Sequence, residues 1–360
     1  MKKTLVYVTT LALLTASCSK NDSPKNTLVE ERKNLTTAPY IKFENPDEFK
    51  RELVRVSQMQ EVDYNNWKKK QNLSKTLYDD YLKTERLAEN IGYQEISNNI
   101  DTNLYYVKND RLFSKIGNTL SKVINENGIV QVGNTLIKYA PDNIFYALAN
   151  EEADKVLSRP IRDLAAKNKD IGSLNGSGTV MRAVNPVIAK PTGAYTHTNF
   201  LKGQVFYSGS NRKFWIDLNE NFIFTPQVVS GTTQWYLSYY IYYEFAHQKK
   251  VTFFWNSYNS SVNIQDISFG SGPLRTFPNN YYILHGNSGE TLDYITRYSN
   301  VYLGAGNHQQ FGIYSTTPSL VDNWNSIPSP IQLYSPKASF SIVAKDEGVG
   351  YSTLLFSNAL

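Results

Sequence analysis

The chain changes character near Pro191, and that change constrains its fold more than any single motif. Of its 48 Phe, Trp and Tyr residues, 33 follow Pro191, and all four histidines (His197, His247, His285 and His308) lie there too. Rings at that density, broken by Gly, Asn, Ser and Pro, suit short extended segments, because aromatic side chains pack well on a pleated surface. Before Pro191 the text is charged and helical, with 28 basic residues against 23 acidic; after it the balance is nine against nine. The excess of +5 therefore belongs to the first half. Its dense run, Lys68-Lys69-Lys70, reads as a solvated helix end, so no nucleic-acid partner is expected.

The first half carries recognisable helix punctuation. Asn45-Pro46-Asp47-Glu48 supplies a cap, a residue suited to the first turn and two acids for the helix dipole. Phe49, Leu53 and Val56 follow on one stripe. A second helix is expected from Ser74, carrying Leu77, Tyr81, Leu82 and Leu87 and ending at Asn90 to Gly92. A third is expected from Asp110 to Asn125, stopped by Gly128. Ile129 to Leu148 then reads as a three-stranded meander with turns at Gly133-Asn134 and Pro141-Asp142-Asn143, followed by a helical turn at Glu151 to Leu157.

Beyond Pro191 nearly every apolar segment alternates. In Trp235 to Glu244, one face carries Trp235, Leu237, Tyr239, Ile241 and Tyr243, and the other Tyr236, Ser238, Tyr240, Tyr242 and Glu244. Both faces therefore bear rings. The fold class expected is α+β: a helical N-terminal region with a small meander at 41–165, a linker at 166–195, and an antiparallel β-sandwich at 196–360.

Cys18 is the one cysteine. It follows Lys2-Lys3, an apolar run from Leu5 to Leu14, and the small residues Thr15, Ala16 and Ser17, the layout of a lipoprotein signal peptide at 1–17. That run is shorter than the ~20 apolar residues a bilayer span needs. The expectation is a lipid-modified Cys18 (palmitate among its chains) that holds the protein on a membrane through a polar tether at 18–40. Without a second cysteine, disulfides and thiolate metal sites drop out.

Asn125 to Tyr139 (NENGIVQVGNTLIKY) resembles the helix–hairpin segment of uncharacterised lipoproteins of Bacteroidetes-type bacteria, which also carry a segment like Lys213 to Leu218 (KFWIDL). The resemblance implies a lipobox, a helical N-terminal part, an aromatic β-rich C-terminal part and no assigned activity. Ser19 after the cysteine is similar to lipoproteins sorted to the outer membrane, with the periplasmic and cell-surface faces both open.

No reaction is legible. Glu244 and His247 would share a helix face but point to opposite sides of a strand, and the other histidines are scattered, so neither a metal nor any other cofactor is expected. Gly176-Ser177-Gly178 and Gly270-Ser271-Gly272 lack the spacing of a nucleophile elbow. Paired acids drawn from Asp217, Glu220, Glu244, Asp266, Glu290 and Asp293 could make a polysaccharide or peptidoglycan hydrolase. The leading expectation is a binding or adhesion module for a glycan or protein, using Tyr236, Tyr240, Tyr242 and Trp215 as an exposed aromatic platform. Burial of both faces, between a second sheet and the N-terminal part, is the competing arrangement, and a structural envelope accessory is a third role.

Overall fold

The computed structural model describes residues 39–164, 171–173, 198–251, 254–271, 296–315, 317–321, 336–346 and 349–355. The signal segment, Cys18 and nearly all of the expected tether lie outside them, as does most of the expected linker.

Strand β1 (Lys42–Phe43) leads into helix α1 (Pro46–Ser57). The Asn45 side chain accepts from the Glu48 amide at 2.9 Å, satisfying one of the first-turn donors that a helix leaves open. Phe49, Leu53 and Val56 are fully buried, as their spacing requires. Helix α2 (Glu61–Lys70) ends in the lysine triplet. Helix α3 (Leu77–Ile91) starts from a capping box in which Thr76 and Asp79 bond each other's backbone amides, and short helix α4 (Tyr93–Ile96) follows.

The third expected helix does not form. Strands β2 (Tyr105–Val107) and β3 (Leu112–Ser114) make a hairpin there, and only Asn118–Ser121 is helical (α5). Asn109 and Asp110 both take positive φ at the hairpin tip, and Gly117, at φ 84, breaks the run again. Leu112, Ile116, Leu120, Val123 and Ile124 are nevertheless all buried, so residues spaced as on one helix face reach the core through a hairpin and a short helix instead.

Strands β4 (Ile129–Val132), β5 (Thr135–Ala140) and β6 (Asn143–Leu148) form the expected meander. Gly128 enters it at φ 77, where a Cβ would lie 2.8 Å from the Tyr139 carbonyl oxygen. After helices α6 (Glu151–Leu157) and α7 (Ile161–Leu164), strand β7 (Gly172–Ser173) pairs with β6, while β1 pairs with β4 in parallel. Ile129, Leu136, Phe145 and Leu157 fill a separate small core on the α6 side of this sheet.

The rest is antiparallel sheet. Strands β8 (Thr198–Ser208), β9 (Arg212–Val229), β10 (Thr232–Val251) and β11 (Phe254–Ser257) lie in the order β11-β10-β9-β8. Strands β12 (Ser260–Ser271) and β13 (Thr296–Gly306) belong to a further sheet, whereas β14 (Gln309–Ser315) and β15 (Ser319–Leu320) pair with β10. Strands β16 (Pro336–Asp346) and β17 (Val349–Leu355) complete the further sheet, ordered β13-β12-β16-β17. The fold is thus α+β with several antiparallel sheets. Lys213 to Leu218 and Phe222 to Phe224 lie on one continuous strand of 18 residues, β9.

The hairpin β9–β10 organises the molecule. Its register pairs Asp217 with Glu244 and Ile216 with Phe245, so alternate residues divide cleanly between two faces. One face holds Phe214, Ile216, Leu218, Phe222 and Phe245; the other holds Asp217, Asn219, Asn221, Thr225 and Gln227 with Tyr240, Tyr242 and Glu244. Both faces are buried. A single contiguous core joins Phe49, Leu53 and Tyr139 from the first half with Phe214, Ile216 and Phe245 from the hairpin, and the described residues fall within one compact unit, Leu35–Leu360.

Candidate functional site

The polar face of the hairpin lies against the helical part, and its side chains are held across that seam. Where the end of β9 meets the β4–β5 turn, Gln227 donates to the Val132 carbonyl at 3.0 Å, and the Val228 amide donates to Thr135 Oγ1 at 2.8 Å. Further along, Tyr240 Oη lies 3.3 Å from Ser57 Oγ and accepts from Gln58 Nε2 at 3.3 Å. Gln248 donates to the Tyr93 hydroxyl at 3.1 Å.

The charged centre of the seam is Glu85 on α3, Glu244 on β10 and His308 in the turn before β14. His308 Nδ1 is 2.8 Å from Glu244 Oε1, and Nε2 is 2.8 Å from Glu85 Oε2. An imidazole flanked by carboxylates on both nitrogens bonds both when each nitrogen carries a proton, which makes it a cation. Burial alone would lower its pKa, but Glu85 and Glu244 dominate and raise it to about 10. Burial pushes Glu244 the other way, yet the His308 hydrogen bond and charge, Asn118 and Arg111 bring its pKa below the ordinary value. Asn118 Nδ2 donates to Glu244 Oε1 at 2.8 Å, and Gln310 Nε2 donates to Oε2 at 3.1 Å. Thr119 Oγ1 in turn donates to Gln310 Oε1 at 3.0 Å.

A second ion pair lies beside it. Arg111, just after the β2–β3 tip, donates to Asp217 Oδ2 at 2.5 Å, and its guanidinium packs 4.4 Å from the Trp215 ring. Burial outweighs Arg111 and leaves Asp217 with a raised pKa. Glu85, Glu244, His308, Arg111 and Asp217 are all buried. Groups enclosed this way tie one element to another, and Glu85, Glu244 and Asp217 are closed off from solvent.

The platform expected from the sequence is therefore corrected. Tyr240 and Tyr242 are each 1% exposed, their rings stacked on each other at 5.0 Å with Lys50 Nζ 5.0 Å from the Tyr240 ring. Trp215 is buried too, under Arg111 and Lys213. Only Tyr236 of the four is partly exposed, its hydroxyl donating to Gln234 Oε1 at 3.2 Å. The reason is complementary chemistry: the helical part presents Ser57, Gln58 and Thr119 to the hydroxyls, so tyrosines that looked fit for solvent are satisfied internally. Glu244 and His247 do point to opposite faces, His247 lying 4.7 Å from the Phe214 ring. Of the other candidate acids, the Glu220 and Asp266 side chains and all of Glu290 and Asp293 lie outside what is described, as does Cys18.

Sequence reading missed Glu85, Arg111, Asn118 and His308. Glu85 sits among the apolar positions of its helix and offered the one usable signal; Arg111 and His308 lie at turns and Asn118 opens the four-residue helix α5, with no periodicity to mark them.

Open rings do occur, at the far end of the sheet. Tyr207 on β8 is 67% exposed, and its ring centroid lies 6.3 Å from that of partly exposed Trp255 on β11. Lys213 Nζ is 4.7 Å from the Trp255 ring, and burial pushes that ammonium down to about 8.

No family model matches the chain, and neither does any curated protein. The chain is similar to a solved structure of a DUF4848 family protein from Bacteroides thetaiotaomicron, at 12% identity over 89% of this chain and 97% of that one, with a TM-score of 0.23. A superposition that loose carries no argument about fold or function.

Proposed function

We propose that this is a cell-envelope lipoprotein whose β-rich part serves as a binding or adhesion module, with a glycan as its leading ligand class. The observation that carries the reading is the contrast between rings and acids. Tyr207 and Trp255 form an open aromatic pair, whereas Asp217 and Glu244 are enclosed and engaged with Arg111 and His308. Sugar rings stack their C–H faces on rings of this kind, and a hydrolase needs its two carboxylates free in a groove. The lipobox around Cys18 supports attachment to the outer membrane. The β-sandwich reading is supported by the apolar face of β9–β10 and by Leu303 of β13, which packs against the core to which Phe214, Ile216 and Phe245 belong.

The test is a glycan array probed with soluble protein lacking Cys18, compared with its Tyr207→Ala variant. Binding that the variant weakens supports the module. Absence of binding above background removes the glycan reading, and release of shorter fragments from any polysaccharide supports the hydrolase instead. Anchoring is checked separately: Cys18→Ala is expected to move the protein from membrane to soluble fractions, and unchanged fractionation contradicts it.

A further inference from the structure

The half of the chain after Pro191 is neutral overall, with nine cations and nine acids, yet four of those cations meet at one end of the sheet. Arg212 and Lys213 open β9, Lys249 and Lys250 close β10, and the register sets Arg212 opposite Lys249. The next acids along these strands, Asp217 and Glu244, are already held by Arg111 and His308. Asp110 and Glu89 are the acids whose field reaches Lys213.

These cations are seated on rings. Lys213 lies over Trp255, while Arg212 and Lys249 lie over Tyr258 at 5.2 and 5.8 Å. Lys213 is itself buried, whereas Lys249 is partly exposed and Lys250 exposed, so these two lysines carry the charge an anion can reach, and the ring contact orients Lys249 for roughly 0.5–1 kcal/mol without neutralising it. The same end carries the exposed Tyr207 and the partly exposed Trp255 and Tyr258. Rings for the C–H faces of sugars thus stand within one cluster with cations for acidic substituents.

We infer that this sheet end binds an anionic polysaccharide, one carrying carboxylate or sulfate groups. The inference rests on the glycan-binding reading above and names its ligand class. The arrangement favours a chain over a flat membrane surface. Tyr207, Lys213, Lys250 and Trp255 share one face of the sheet by register, whereas Arg212, Lys249 and Tyr258 are on the other. A membrane meets one face at a time; a polysaccharide crossing the end of the strands reaches both.

The experiment measures binding of soluble protein to polygalacturonate, heparin, neutral dextran and vesicles of phosphatidylglycerol with phosphatidylcholine. Expected is binding to polygalacturonate or heparin that weakens steeply as salt rises to about 0.5 M, where screening shortens to a few ångströms. Lys249→Gln combined with Lys250→Gln, and separately Tyr207→Ala, should each weaken that binding about tenfold or more, roughly 1.4 kcal/mol. These positions are exposed or partly exposed, so the variants are expected to fold, which circular dichroism checks before binding is read. Replacing Lys68, Lys69 and Lys70 together by Gln should leave affinity unchanged, which separates this site from general positive charge. Equal loss in that control, no loss in the Lys249/Lys250 variant, or binding to vesicles but to neither polyanion overturns the inference. Binding to dextran alone overturns it while leaving the glycan-binding reading intact, and failure to bind any glycan removes both.

Discussion

Substituting His308→Gln leaves Glu85 and Glu244 buried without the cation that bridges them. Removing one partner of a buried ion pair ordinarily costs about 3–5 kcal/mol, because the remaining charge keeps its desolvation penalty and loses its attraction. A second route gives a similar size. Raising His308 from its usual 6.5 to about 10 corresponds to several kcal/mol, at about 1.4 kcal/mol per tenfold change in proton affinity. The sign follows from linkage: the folded state holds this proton more tightly than the unfolded chain. The stabilisation is therefore complete below about pH 6.5 and is lost as pH rises through about 10. Urea unfolding of both proteins at pH 6 and at pH 10 measures it. We expect a gap of ~3–5 kcal/mol at pH 6 that narrows on the alkaline side. A gap under about 1 kcal/mol at pH 6, or one that does not change with pH, refutes the reasoning. Adding Glu85→Gln to His308→Gln should cost less than the sum of the single changes, since the two groups act on each other.

Other expectations follow from the same seam. Arg111→Met should destabilise by roughly 3–5 kcal/mol, and Arg111→Met with Asp217→Leu should recover most of it, both read from urea midpoints. Burial lowers Lys50 to about 7, so the unfolded chain binds the proton more readily and stability rises with pH from about 7 towards 10.5. Lys50→Met should be more stable than the parent at pH 6, with that rise removed; in the parent this slope opposes the one from His308. Gly128→Ala forces a Cβ to 2.8 Å from the Tyr139 carbonyl oxygen at positive φ, and a loss of about 1–3 kcal/mol in thermal unfolding is expected.

Local signals carried the fold a long way. Capping at Asn45, the stripe Phe49-Leu53-Val56 and the turns of the meander each have a short-range physical cause, so they were visible in the chain. The stretch from Asp110 to Asn125 was misread because its buried residues match a helical period, while the features that prevent a helix are backbone conformations at Asn109, Asp110 and Gly117. The seam was illegible for a different reason. Glu85, Glu244 and His308 are brought together across more than two hundred residues, and nothing near His308 marks it as the cation between them. Alternation in β10 correctly divided its faces, but the face richer in hydroxyls and charge turned out to be internal. Period alone says which residues share a face; it does not say what covers that face.

The central claim is that the Tyr240 and Tyr242 face is closed by the helical part while the rings at the sheet end stand open. Hydroxyl-radical footprinting of the folded protein, read by mass spectrometry at each tyrosine, tests it most directly. Rapid oxidation of Tyr207 and slow oxidation of Tyr240 and Tyr242 are expected, the latter rising to the Tyr207 level in urea. Oxidation of Tyr240 and Tyr242 at the Tyr207 rate in the folded state contradicts it.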